Sequence, residues 1–83
     1  MDTISELRNK INIINDELVS LIIQRNNISR EIGKEKTKIG LPIYDRSREQ
    51  DIYTKLEKNY PENYKNLKPI FEEIIKQSRL LQN

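Results

Sequence analysis

The chain of 83 residues contains no cysteine, no histidine and no tryptophan. Without cysteine there are no disulfides and no thiolate chemistry, and the redox compartment is left open. Without cysteine and histidine, a tetrahedral zinc site of the usual nitrogen and sulfur ligands is excluded. The same absences remove histidine as a general base and cysteine as a nucleophile.

Glycine and proline are scarce, with two and three residues, whereas 34% of the residues are charged. This composition favours long helices over many turns. The length allows one small domain, residues 1–83, whose thin core makes a partner chain expected. The net charge of +2 is too small to argue for nucleic acid or an anionic membrane as a partner.

Long apolar runs are also absent, and no stretch reaches the length needed to span a bilayer. The amino terminus lacks the basic region and apolar core of a signal peptide. We therefore expect no membrane insertion and a cytoplasmic location.

The first of three segments predicts a helix from about residue 4 to residue 38, on the order of 50 Å long. Thr3 and Glu6 fit a capping box at its start. Apolar residues then recur at alternating steps of three and four, a heptad seam with one gap at position 25. The seam consists of Ile4, Leu7, Ile11, Ile14, Leu18, Leu21, Ile28 and Ile32. A compact domain of this size is expected to have a radius of gyration of ~12 Å, so the long helix extends beyond it and one chain cannot cover the apolar stripe. A second copy is expected to cover it.

Gly40 and Pro42 end the first segment, and residues 59–61 end the second. The second helix is expected to start at residues 44–47, with Asp45 or Ser47 as its N-cap, and to end near Lys58. The third carries an apolar stripe through residues 67–81. Because proline is tolerated only in a first turn, its regular part is expected to start close to Asn66, after an irregular turn from residue 63 at most.

Two cations on the first helix stand out. Arg25 fills the gap in the heptad seam, where a buried charge needs a partner. It is either half of a structural ion pair or a ligand for an anion. Lys36 follows eleven residues later, close to three turns, and faces the same way. Taken alone, Lys36 and Arg8 are more simply explained as solvated surface charges.

Further polar residues lie on or beside the apolar stripes of the other segments. Ser78 and Gln82 follow the third stripe at helical spacing, where Ser78 could bond back to a carbonyl and Gln82 could be a frayed end. Asp45, Arg48 and Glu49 share a face, and without further information a cap with an intrahelical ion pair explains them best.

Arg8 and Arg25 are seventeen residues apart, or roughly 25 Å along one helix. They cannot touch the same small molecule from one chain. An antiparallel second chain can bring its Arg8 near Arg25, so a site that uses both is shared between subunits and occurs twice per dimer.

Several stretches, in order and over nearly the whole chain, resemble the all-helical chorismate mutase family. They comprise residues 7–11, 13–18, 21–25 and 31–36, and residues 74–82 at the carboxyl end. The most specific stretch is residues 42–49, PIYDRSRE, which is close to the family pattern Pro-x-x-Asp-x-x-Arg-Glu.

This resemblance implies an all-α fold with one long, one short and one medium helix per chain, in an intertwined homodimer. It implies an isomerase that converts chorismate to prephenate in the shikimate route to phenylalanine and tyrosine. The reaction is an intramolecular [3,3] rearrangement that needs no cofactor and no metal. The expected partners are chorismate and a second copy, with neither nucleic acid nor membrane.

The resemblance also implies a role for each candidate residue. Arg25 of one chain and Arg8 of the other hold the two carboxylates of chorismate, with Ser78 beside one of them. Lys36 and Gln82 face the ether oxygen, on which negative charge develops. Glu49 accepts from the ring hydroxyl, Asp45 lies at the same end, and Arg48 orients these acids. Arg79 adds a charge beside the expected pocket, where it either faces solvent or forms an ion pair.

Two other classes explain part of the sequence. A non-catalytic helical dimerisation module accounts for the heptad seam and the caps, but not for Arg25, Ser78 and Gln82 on apolar stripes. A small DNA-binding dimer is opposed by acids interspersed with bases on all three segments and by the lack of a recognition helix.

Overall fold

The computed structural model describes residues 2–83, and within that range the chain forms three helices and no strands. Helix α1 spans Thr3–Ile39, α2 spans Arg46–Asn59 and α3 spans Tyr64–Gln82. The all-helical class, with one long, one short and one medium helix, is confirmed.

Helix α1 begins at Thr3, whereas an N-cap at Thr3 would place its first residue at Ile4. The N-cap is Asp2, whose side chain accepts a hydrogen bond of 3.0 Å from the backbone N–H of Ile4. The predicted capping box is therefore wrong, because Thr3 is already helical and Asp2 satisfies the free donors. At the other end Gly40 adopts a left-handed conformation with φ 72°, which glycine does without strain.

Helix α2 is capped by Asp45, one of the two predicted N-caps. The Asp45 side chain accepts a hydrogen bond of 3.0 Å from the backbone N–H of Arg48. The helix ends at Asn59, one residue beyond the predicted end and two before Pro61.

Helix α3 begins at Tyr64, two residues earlier than the expected start, and Pro69 is its sixth residue. Proline there removes the hydrogen bond to the carbonyl of Lys65, four residues back. Lys65 and Pro69 are both exposed, so water can reach the carbonyl that is left free. The expectation that proline is tolerated only in the first turn is wrong here, because this exposed helix end accepts Pro69 in its second turn.

Helix α3 packs against the carboxyl half of α1 on one side and against α2 on the other. The apolar side chains buried between the helices are Leu56 and Ile75. The chain measures 58 × 26 × 15 Å, with a radius of gyration of 16.3 Å, because the amino-terminal half of α1 extends beyond the other helices. There the heptad seam lies open, with Leu7 52% and Ile14 60% exposed.

None of the helices within residues 2–83 combines the length and the apolar character needed to cross a membrane.

Candidate functional site

A cleft of about 220 Å³ lies where the carboxyl half of α1 faces the start of α2 and the end of α3. Seven of the eight predicted site residues line this cleft: Arg25, Lys36, Asp45, Arg48, Glu49, Ser78 and Gln82. The eighth, Arg8, lies on the exposed amino-terminal part of α1, about 25 Å from Arg25 along the helix.

The apolar part of the cleft wall consists of isoleucines from all three helices and from the α1–α2 connection. They are Ile32, Ile43, Ile52 and Ile75. Ser29 and Arg79 complete the lining. Arg79 was expected beside the pocket, whereas the other five were not predicted as lining residues. Helical spacing does identify Ser29, because it follows Arg25 by four residues and precedes Lys36 by seven, on one face of α1.

Lys36 is half-buried and makes two hydrogen bonds to other parts of the chain. Its Nζ donates to the backbone carbonyl of Ile43 at 2.7 Å and to Oε1 of Gln82 at 2.9 Å. An ammonium group has three donors and no acceptor, so one donor is left for a ligand. Lys36 is thus held at the cleft and is not a freely solvated surface charge.

Gln82 is the last residue of α3 and is half-buried. Because its amide oxygen accepts from Lys36, its amide NH₂ keeps its donors for another partner. The interpretation of Gln82 as a frayed end does not apply.

The end of α3 lies very close to α1 at Gly33. A Cβ at position 33 would lie 2.5 Å from the backbone carbonyl oxygen of Gln82 and 2.7 Å from its Cα. Only a residue without a side chain allows this approach, which brings Gln82 within reach of Lys36.

Arg25 donates from Nη1 to the hydroxyl oxygen of Ser78 at 3.2 Å. Within residues 2–83 it has no acidic partner at ion-pair distance. The structural ion pair considered for Arg25 is therefore absent from this part of the chain. Ser78 likewise contacts Arg25 and not a carbonyl one turn earlier.

At the acidic end of the cleft, Asp45 has the role predicted from the sequence but Glu49 has a different partner. Asp45 caps α2 as predicted. Glu49 pairs with Arg79 of α3, with 3.4 Å between Arg79 Nε and Glu49 Oε2. Within residues 2–83 Arg48 forms no ion pair, so the intrahelical ion pair considered for these residues is absent there. The Arg79 guanidinium also lies over Tyr44, with its carbon 5.2 Å from the ring centroid.

A larger and more open cleft of about 550 Å³ lies on the outer side of α2 and α3. It shares Glu49 and Arg79 with the smaller cleft but contains neither Arg25, Lys36 nor Gln82. The smaller cleft is the candidate site because it combines apolar walls with convergent donors. Among residues 2–83, no three acidic side chains cluster closely enough to hold a metal ion.

Residues 7–83 match the family described as chorismate mutase type II. The chain belongs to the type II chorismate mutase family. It is 32% identical over 87 residues to the chorismate mutase of Methanocaldococcus jannaschii, covering 99% of this chain and 86% of that protein. It is 33% identical over 81 residues to the bifunctional chorismate mutase/prephenate dehydratase of Aquifex aeolicus, covering 90% of this chain and 22% of that protein.

Two solved structures have the same fold as this chain. Form II chorismate mutase from Thermus thermophilus is 31% identical and superimposes with a TM-score of 0.91, covering 98% of this chain and 94% of that one. A conserved hypothetical protein from Pyrococcus furiosus is 32% identical with a TM-score of 0.82, covering 100% and 99%.

The resemblance found in the sequence is thereby confirmed. As a type II chorismate mutase the chain is an isomerase with chorismate as its substrate, and its family acts in aromatic amino acid biosynthesis. The non-catalytic dimerisation module is not favoured.

Proposed function

We propose that this chorismate mutase works as a homodimer, with two equivalent sites that each combine the cleft of one chain with Arg8 of the other. The observation that carries the proposal is the convergence of Arg25, Lys36 and Gln82 on one partly apolar cleft. The reaction breaks a C–O bond and forms a C–C bond within one molecule. It therefore needs charge placement and a folded substrate more than any proton transfer.

Recognition of the two carboxylates is assigned to the arginines. Arg25 is free of acidic partners within residues 2–83, so its guanidinium can bind a carboxylate through paired donors. Ser78, at 3.2 Å from Arg25, holds that side chain and contributes its own hydroxyl donor. The partner subunit's Arg8 binds the second carboxylate.

Stabilisation of the transition state is assigned to Lys36 and Gln82. As the C–O bond breaks, the ether oxygen gains negative charge, which fixed donors stabilise more than they stabilise the ground state. Lys36 donates to the Ile43 carbonyl and to the Gln82 amide oxygen, so one of its N–H donors stays free. The amide NH₂ of Gln82 also keeps its donors. Both groups are held in place before substrate arrives.

The opposite end of the cleft binds the ring hydroxyl. Glu49 lines the cleft and is 16% exposed, and its carboxylate accepts a hydrogen bond from that hydroxyl. Asp45 keeps one oxygen committed to the α2 cap, so its part is to place the start of α2. Arg48 balances the negative charge of these two acids and leans toward the substrate.

The proposed dimer follows from the exposed heptad seam. Along the first two-thirds of α1 its residues are about half exposed, among them Leu18 at 48% and Leu21 at 57%. Antiparallel packing of two α1 helices buries this stripe. It also brings the partner subunit's Arg8 across the gap of about 25 Å that separates Arg8 from Arg25 within one chain.

A cytoplasmic location remains a prediction, and fractionation of cells that express the chain tests it.

The direct test is to follow the loss of chorismate absorbance with purified chain at neutral pH and without added metal, beside an Arg25→Ala variant. We expect turnover by the wild type and loss of most kcat/KM in the variant. A wild type that leaves chorismate unchanged, or that shifts duplex DNA in a salt-dependent way, contradicts the proposal.

A further inference from the structure

Arg79 lies at the boundary between the candidate site and the larger outer cleft, and it lines both. Its side chain is 40% exposed, whereas the Glu49 side chain that it contacts is 16% exposed. The arginine thus reaches inward from solvent toward a carboxylate that is mostly covered. The proposed catalytic scheme uses Glu49 but leaves Arg79 without a role.

The contact between the two residues is electrostatic. Arg79 Nε lies 3.4 Å from Glu49 Oε2, yet within residues 2–83 this buried nitrogen has no hydrogen-bond partner. The guanidinium is held from another direction by the ring of Tyr44, 5.2 Å away, in the geometry of a cation–π contact. Arg79 is therefore anchored independently of Glu49.

From this geometry we infer that Arg79 is a positioning residue that acts through Glu49. By attracting Oε2 it turns the carboxylate so that Oε1 is the oxygen left for the ring hydroxyl of the substrate. It also compensates a negative charge that would otherwise lie close to a substrate with two carboxylates. The inference rests on the role proposed above for Glu49.

The first test compares Arg79→Met with Lys76→Met. Lys76 is a matched control, because it is an exposed cation on the same helix, lines the outer cleft and has no ion pair within residues 2–83. For Arg79→Met we expect kcat/KM to fall roughly fivefold, the factor that corresponds to about 1 kcal/mol for a partly exposed pair. Lys76→Met keeps the wild-type value, and Arg79→Lys, which restores the charge, recovers part of the loss.

The second test is a double-mutant cycle with Glu49→Gln, with far-UV circular dichroism and thermal unfolding recorded for every variant. If Arg79 acts through Glu49, Arg79→Met causes no further loss of kcat/KM in the Glu49→Gln background. Equal losses in both backgrounds contradict the inference and leave the proposed chorismate site intact. An unchanged kcat/KM for Glu49→Gln alone removes Glu49 from the site and overturns the inference with it.

Discussion

Lys36 is the residue whose surroundings most directly support a catalytic role. Two of its three donors are held by the Ile43 carbonyl and the Gln82 amide. A lysine that served only to solvate the surface would not be held in this way, since fixing such a long side chain costs conformational entropy. The third donor is therefore preorganised for an anionic oxygen.

Replacing Lys36 with alanine removes this donor and frees Gln82 from its partner. We predict that kcat falls about a hundredfold or more, from the loss of at least ~2.7 kcal/mol of transition-state stabilisation. Steady-state kinetics with chorismate measure the effect. Lys38→Ala is the control, because within residues 2–83 Lys38 forms an ion pair with Glu35 alone, on the exposed side of α1. Normal turnover by Lys36→Ala refutes the assignment.

Single residues also show how far the sequence predicts the site. Arg25, Ser78 and Gln82 are detectable because polar groups on apolar stripes are costly unless they are used. The bond from Lys36 to the Ile43 carbonyl is not detectable, because its acceptor is a backbone atom in a connection. An ion pair is one of the two alternatives that the sequence leaves for Arg79, but its partner Glu49 is not predictable, because the pairing depends on the register of α2 against α3.

At the scale of secondary structure, the position of the α3 end controls the catalytic donors. Gly33 allows the backbone of Gln82 to approach α1 so closely that a Cβ there would overlap it. The Lys36–Gln82 contact therefore depends on how two helices pack as well as on the two side chains.

Substitution of Gly33 by alanine separates helix formation from helix packing. Alanine is more favourable than glycine within a helix by about 1 kcal/mol, so helical content is retained. The added Cβ pushes the end of α3 away from α1. We predict a fall in kcat of about tenfold or more, as expected for a misplaced catalytic group. Lys34→Ala, one residue along the same helix, is the control. Unchanged kcat in Gly33→Ala would contradict the dependence of catalysis on the close approach of α3 to α1.

The contact between α2 and α3 is expected to weaken at alkaline pH through Tyr53. Partial burial, followed by the negative charges of Glu72 and Glu49, raises the pKa of the Tyr53 phenol above its ordinary 10.0. Because the pKa is raised only in the folded state, the neutral Tyr53 phenol stabilises the fold fully below pH 10.0, its ordinary pKa. This contribution to stability is lost as pH rises through the folded-state pKa.

Thermal unfolding from about pH 9 to about pH 11 tests this linkage. Tyr53→Phe has no phenol to ionise, so its Tm is predicted to fall less than that of the wild type over this range. Equal decreases in the two proteins would show that Tyr53 does not couple ionisation to folding.

The boundaries of the helices were predictable where breakers and caps are unambiguous, and less so elsewhere. Gly40 and Asp45 were identified because left-handed conformation and N-capping strongly select their residue types. The start of α1 was misplaced by one residue because Asp2 and Thr3 are both good caps. The start of α3 was misplaced because an exposed helix end tolerates Pro69 in its second turn.

At the scale of the whole molecule, the extended α1 accounts for the need for a partner. Its seam leaves a row of large apolar side chains exposed, and such surfaces mark sites of association. The periodicity of the sequence predicts this stripe, but no spacing within one chain places Arg8 next to Arg25.

A charge in the seam is predicted to separate the subunits. We expect the wild type to show twice the chain's 9.9 kDa in sedimentation equilibrium, and Leu18→Lys to shift toward the single-chain mass with loss of activity. Asn9→Lys, which lies two and a half turns before Leu18, adds the same charge on the opposite side of α1 and serves as the control. A wild type that is monomeric while fully active would contradict the proposed dimer.

The most direct test of the shared site is complementation between Arg8→Ala and Arg25→Ala, each of which is predicted to be nearly inactive alone. When the two variants are unfolded together and refolded, a mixed dimer contains one site with both arginines and one with neither. With random pairing, activity should return to about a quarter of the wild-type value. If the refolded mixture stays as inactive as either variant alone, the two arginines do not act together across the subunits.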